Sequence, residues 1–130
     1  EEMTADLNII KMMMIDDPAI LDQIIPQLPS SLTDNYNVVK SAPYFLEVLN
    51  KQAHKGAAVK KLAEHLGIKQ EEVMAIGDNE NDLTMVEYAG IGVAMANATE
   101  NVKNAADVLT ASNEEDGVAE VINKYVLTNN

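Results

Sequence analysis

From residue 55 onward the apolar positions alternate between two rhythms. Val59, Leu62, Ala63 and Leu66 stand at i, i+3, i+4 and i+7, so the spacing predicts a helix, and Gly67 follows where a helix C-terminus favours glycine. Val73-Met74-Ala75-Ile76 is a short unbroken apolar run ending at Gly77-Asp78, the pattern of a buried strand that empties into a loop. Leu83, Val86 and Ala89 predict a second helix, Ile91 to Met95 a second strand, Val102 with Ala105 and Ala106 a helix, and Val108-Leu109 a third strand. Val118, Val121, Ile122, Tyr125 and Val126 predict a last helix behind Asp116-Gly117, with Asp116 as its cap. Helices alternating with short apolar strands imply parallel strands joined by helical crossovers, hence an α/β sheet flanked by helices. Ligands of such sheets gather at the carboxyl ends of the strands, where the loop after Ile76 lies.

The first fifty residues follow a different rhythm. Ile9 to Ile15 predict a strand, Pro18 to about Leu28 a helix with Leu21, Ile24, Ile25 and Leu28 on one face, and Tyr36 to Lys40 and Phe45 to Leu49 two more strands. Three strands and one helix do not close a core alone, so this segment is expected to pack on the remainder or to belong to a larger α+β unit. The polar stretch Asn50-Lys51-Gln52-Ala53-His54 is the expected linker, with His54 a linker residue and His65 on the exposed side of its helix.

Composition narrows the chemistry. The chain has 130 residues and no cysteine, which excludes disulfides and thiolate metal sites, and with two histidines zinc is disfavoured against a hard, oxygen-seeking ion such as Mg²⁺. The formal charge is −12 and all nine basic residues are lysine, which argues against nucleic acid as the partner. No apolar run is long enough for a membrane span and the acidic start lacks a signal-peptide pattern, so a cytoplasmic protein is expected.

The densest chemistry lies in Gly77-Asp78-Asn79-Glu80-Asn81-Asp82, where carboxylates crowd at a strand end and repel one another unless a cation is present. Asp78 is placed to bind Mg²⁺ directly, with Asn81 and Asp82 orienting metal-bound water, a phosphate or a neighbouring ligand. The competing reading is an acidic turn in which Asn81 or Asp82 caps a helix. A calcium loop of the EF-hand type fails, because Leu83 and Ala89 stand where glycine and a bidentate glutamate are required. Lys55 precedes Gly56 at the start of a helix, where a fixed lysine could neutralise phosphate charge in a transition state.

Lys55-Gly56 heading a helix, Val73 to Asp82, Gly92-Val93-Ala94-Met95-Ala96-Asn97-Ala98 and Asp116-Gly117-Val118-Ala119, in that order, resemble the haloacid dehalogenase superfamily. Within it they are similar to the Cof-type sugar-phosphate phosphatases with a class II cap. Ser41 to Val48 resembles the end of such a cap. The resemblance implies a Rossmann-like parallel sheet with flanking helices in residues 51–130, preceded by the tail of an α+β cap domain in residues 1–50. It implies a Mg²⁺-dependent phosphohydrolase acting on small phosphorylated metabolites, in which an aspartate attacks phosphorus and water then breaks the aspartyl-phosphate. Lys55 matches the lysine that contacts the phosphoryl group and Asp78 the acidic Mg²⁺ ligand. Asn81 and Asp82 match the pair supporting phosphate and metal, with Asp82 bonded to Lys55.

The family's Asp-x-Asp nucleophile motif has no counterpart. Asp16-Asp17 has the wrong spacing, and Pro18 makes Asp17 a natural helix cap. The chain is therefore expected to be the C-terminal half of a longer protein, inactive by itself, a weak Mg²⁺ binder, and prone to dimerise or to hold a missing N-terminal fragment along an open sheet edge. The rival readings are a non-catalytic, degenerate relative and a generic α/β binding domain whose acidic loop is structural.

Overall fold

The computed structural model describes residues 9–127, and the chain divides between Ala53 and His54 into two compact units. In the first unit, strands β1 (Lys11–Ile15), β2 (Tyr36–Ala42) and β3 (Phe45–Asn50) form an antiparallel sheet in the order β1-β3-β2. Met12 pairs with Val48 on one side of β3, and Val38 pairs with the same Val48 on the other. Along β3, Leu46 and Val48 are buried and their neighbours less so, the two-residue alternation of a half-covered strand. Leu21 supplies the remaining large buried side chain from helix α1 (Pro18–Ile24).

The helix expected to run from Pro18 to Leu28 stops at Ile24 and continues as a 3₁₀ turn over Ile25–Gln27. Pro26 is the cause, since it has no N–H to donate and its ring crowds the preceding turn. Asp17 caps α1 as its position before Pro18 implied, accepting from the Ala19 N–H at 2.9 Å. A short helix, α2 (Ser30–Thr33), follows where no apolar periodicity marked one.

The second unit is built on three parallel strands, β4 (Met74–Gly77), β5 (Ile91–Ala94) and β6 (Val108–Leu109), in the order β4-β5-β6. Central β5 is the most apolar, with Gly92, Val93 and Ala94 all buried, as expected of a strand covered on both faces. Val86, Ala94, Met95, Ala98 and Val102 form the core, with Ile76, Leu83 and Ala106 against it. Helix α3 (Lys55–Leu66) packs on α4 (Leu83–Tyr88), α4 packs on β4 and β5, and α5 (Glu100–Ala105) packs on α4 and β5. Gly67 ends α3 in the left-handed conformation at φ 69°, which glycine adopts without a Cβ penalty.

The last helix, α6 (Gly117–Ile122), is shorter than its periodicity predicted and passes into a π-type turn over Asn123–Leu127. Asp116 is not its side-chain cap. It sits at φ 56° and makes no cap hydrogen bond, because the turn closed by Ser112, whose carbonyl accepts from Glu115 and Gly117, reverses the backbone at that residue. Among the described residues no helix is long and apolar enough to cross a membrane.

Candidate active site

The site grows from the carboxyl end of β4. After Gly77 the chain turns through Asp78 and Asn79 into a single 3₁₀ turn, Glu80–Asp82, which leads directly into α4. Asn79 starts this turn by accepting from the Glu80 N–H at 2.9 Å. Asp82 closes it from within: one carboxylate oxygen accepts from the backbone N–H groups of Asp78 at 3.0 Å and Asn79 at 3.1 Å, while the other accepts from the Lys55 ammonium. Asp82 is only 4% exposed, and its Cβ lies so near Gly77 that a side chain at position 77 would collide with it. Burial opposes ionisation of this carboxyl. The Lys55 ammonium and the two backbone N–H groups outweigh it and hold the carboxyl below its ordinary value of 3.8.

Lys55 is the first residue of α3; its ammonium reaches Asp82, and its side chain as a whole remains about half exposed, at 48%. The turn beneath it is held by side chains. His54, read from sequence as a linker residue, is the N-cap of α3 and accepts from the Ala57 N–H at 3.2 Å. Thr84 Oγ1 accepts from the Gly56 N–H at 3.0 Å and lies 3.1 Å from His54 Nδ1.

Asp78 differs from Asp82 in exposure. It stands open at the strand end, and its carboxylate accepts from the Asn97 side-chain amide at 3.1 Å. Asn97 is fixed at its other end, where its carbonyl oxygen accepts from the Asn113 N–H at 3.0 Å. The Asp78 carbonyl accepts from the Thr99 N–H, which ties the loop to the start of α5. Asn101 donates to both Glu80 oxygens at 3.2 Å. Asn81 is half-buried within the 3₁₀ turn and makes no side-chain hydrogen bond among the described residues. Lys55, Asp78, Asn81 and Asp82 thus meet around one loop. His54, Thr84, Asn97 and Asn101 join them without any signal from periodicity or charge.

For Mg²⁺, the donor set is sparse. No group of three or more His, Cys, Asp or Glu residues able to hold a metal occurs among the described residues. Asp82, expected beside Asp78 as a ligand, has both oxygens already engaged. Asp78 alone offers an exposed carboxylate oriented by an amide, which suits an ion that commonly takes one or two carboxylates and fills its octahedron with phosphate oxygens and water.

The model of the haloacid dehalogenase-like hydrolases matches residues 1–122. The chain belongs to this family. It is 51% identical over 127 residues to the Bacillus subtilis protein YxeH, covering 98% of this chain and 47% of that protein. The crystal structure of a haloacid dehalogenase-like hydrolase from Bacteroides thetaiotaomicron shares 44% identity at a TM-score of 0.73, over 91% of this chain and 44% of that one. The subclass IIB sugar phosphatase BT4131 shares 33% identity at a TM-score of 0.74, over 89% and 43%. The chain spans about half the length of these relatives.

Proposed function

We propose that this chain forms the lysine-and-carboxylate side of the active site of a Mg²⁺-dependent phosphohydrolase that acts on small phosphate monoesters such as sugar phosphates. The observation that carries this reading is the clamp at the end of β4, where buried Asp82 holds both the Asp78-Asn79 backbone and the Lys55 ammonium, leaving the Asp78 carboxylate exposed beside them. Phosphoryl transfer is chiefly positioning and charge neutralisation, and a lysine with a half-exposed side chain beside an exposed, oriented carboxylate offers both.

Each residue then has a distinct part. Lys55 faces the phosphoryl oxygens and balances their charge. Asp82 holds Lys55 and the loop, Asn81 is free to donate its amide to phosphate, and Asp78 would hold Mg²⁺, with Asn97 orienting its carboxylate. A bound Mg²⁺ would supply further neutralisation of phosphate charge. The family's aspartate nucleophile is not Asp16 or Asp17: Asp17 caps α1 and Asp16 accepts from the Asp17 N–H. The 130-residue chain is accordingly expected to bind ligand without turning it over. Membership of the family and the likeness to BT4131 support a phosphatase of small phosphorylated metabolites, for which a cytoplasmic location is the reading proposed.

A purely structural acidic loop accounts for Asp82 and Asn79, whose carboxylate and carboxamide oxygens serve the turn, but it gives no part to the Asp78 carboxylate, which bonds none of the turn's backbone and is instead held by the Asn97 amide. Titration with orthophosphate and Mg²⁺, followed by backbone NMR, separates the two readings. Shifts confined to Lys55 and Gly77–Leu83, with the Mg²⁺-dependent part lost in Asp78→Ala, support the phosphohydrolase. Absence of any response, or rapid hydrolysis of p-nitrophenyl phosphate by this chain alone, would overturn the assignment of roles.

A further inference from the structure

We propose that Thr84 is the positioning residue for Lys55, acting through a joint with Gly56 and His54 that seats the first turn of α3 on the first turn of α4. This inference rests on the reading of Lys55 as the phosphate-facing cation.

Helix α3 begins with N–H groups that have no partner within the helix. The Ala57 N–H goes to His54 Nδ1, and the Gly56 N–H goes across to Thr84 Oγ1. Since Thr84 Oγ1 accepts from Gly56, its own hydrogen is free to point at His54 Nδ1, 3.1 Å away. Because the Ala57 N–H donates to Nδ1, this nitrogen serves as an acceptor, and the Thr84 hydroxyl can donate to it as well. One hydroxyl thus links the cap residue and the second residue of α3, and Lys55 lies between them.

Packing enforces the same contact. A Cβ placed on Gly56 would meet the Thr84 carbonyl well inside contact distance, so the two backbones touch where only glycine fits. Thr84 is also two residues beyond Asp82, in the helix that Asp82 opens. Both ends of the Lys55–Asp82 ion pair therefore stem from backbone anchored at one joint. A lysine side chain has many rotamers, and holding its Cα and its terminal partner on one rigid support is what keeps the ammonium at a single place. Threonine is a poor helix former, so helix propensity gives no reason for it at this position, whereas the joint does.

The test uses competitive acetylation of the lysines of the whole chain with limiting acetic anhydride, read by mass spectrometry, with exposed Lys61 as internal standard. Asp82→Asn is the positive control and raises the Lys55 rate. Thr84→Val, which keeps the shape and removes the hydroxyl, is expected to raise the Lys55 rate about tenfold over wild type, while Thr84→Ser stays within about twofold, the order expected for one hydrogen bond lost or kept. A folded Thr84→Val chain with the wild-type Lys55 rate overturns the proposal. If Thr84→Val fails to fold by circular dichroism, His54→Ala takes its place with His54→Asn as the capping rescue, and the same comparison decides. Orthophosphate added to the wild-type chain tests the underlying reading separately. If it does not slow Lys55 acetylation, the phosphate role of Lys55 fails while the Val and Ser variants still decide the joint.

Discussion

Asp82 engages one carboxylate oxygen with backbone no more than four residues away and the other with a lysine 27 positions distant. Its removal strands two N–H groups and an ammonium, so Asp82→Ala should lower stability by about 2–3 kcal/mol in urea unfolding. The same geometry sets a pH dependence. Because the folded carboxyl titrates below its ordinary 3.8, the folded state binds fewer protons than the unfolded one in that region. The stabilisation is complete above the unfolded value and disappears as pH falls through the folded one. Unfolding free energies measured from about pH 5 down to about pH 2 should therefore fall more steeply for the wild-type chain than for Asp82→Asn, and parallel curves would remove Asp82 as the source. At this scale the sequence was partly legible. Lys55, Asp78, Asn81 and Asp82, which the structure gathers around one loop, stand out in the sequence because charge density and motif order mark them. Thr84 and Asn97 do not, because a short polar side chain carries no periodic signal and their partners lie 28 and 19 residues away.

Elements were legible where one rule dominated. The start and stop of α3 followed from its apolar stripe and Gly67, and the four-residue strands β4 and β5 from their unbroken apolar runs. Elements failed where a local backbone event overrode the stripe, at Pro26 in the continuation of α1 and at Asp116 before α6. The 3₁₀ turn Glu80–Asp82 was invisible for the opposite reason, since it has no apolar face and exists through the hydrogen bonds of Asn79 and Asp82. Two glycines of α3 and its C-cap separate packing from backbone conformation. Gly56 has a negative φ but no room, so Gly56→Ala must push Thr84 aside and should cost about 1–3 kcal/mol. Gly67 has open space but a φ of 69°, so Gly67→Ala should cost only about 1 kcal/mol, from backbone strain alone. Thermal unfolding of both variants checks the ranking, and only Gly56→Ala should also raise the acetylation of Lys55.

At the scale of the whole molecule, two units with separate sheets share one strongly acidic chain. The division after Ala53 falls in the polar stretch that the sequence marked, because linkers carry few contacts and therefore little apolar residue. The sequence led to the expectation of an open sheet edge, but not of which strand would carry it. Among the described residues β4 has a partner strand on one side only, and Met74-Ala75-Ile76-Gly77 carries neither charge nor proline, the usual guards against edge pairing. A second copy pairing along β4 would meet a formal charge of −12 on each chain, so attraction at the strand edge competes with long-range repulsion. Salt screens the repulsion beyond about 8 Å at physiological ionic strength and leaves the short backbone hydrogen bonds intact. The mass measured by light scattering after size exclusion should therefore rise from the 14.1 kDa of one chain towards about twice that value as sodium chloride is raised from about 10 mM to about 500 mM at fixed protein concentration. A mass that stays at one chain across that range would show that β4 does not recruit a second copy, and a mass that falls with salt would assign the association to opposite charges instead.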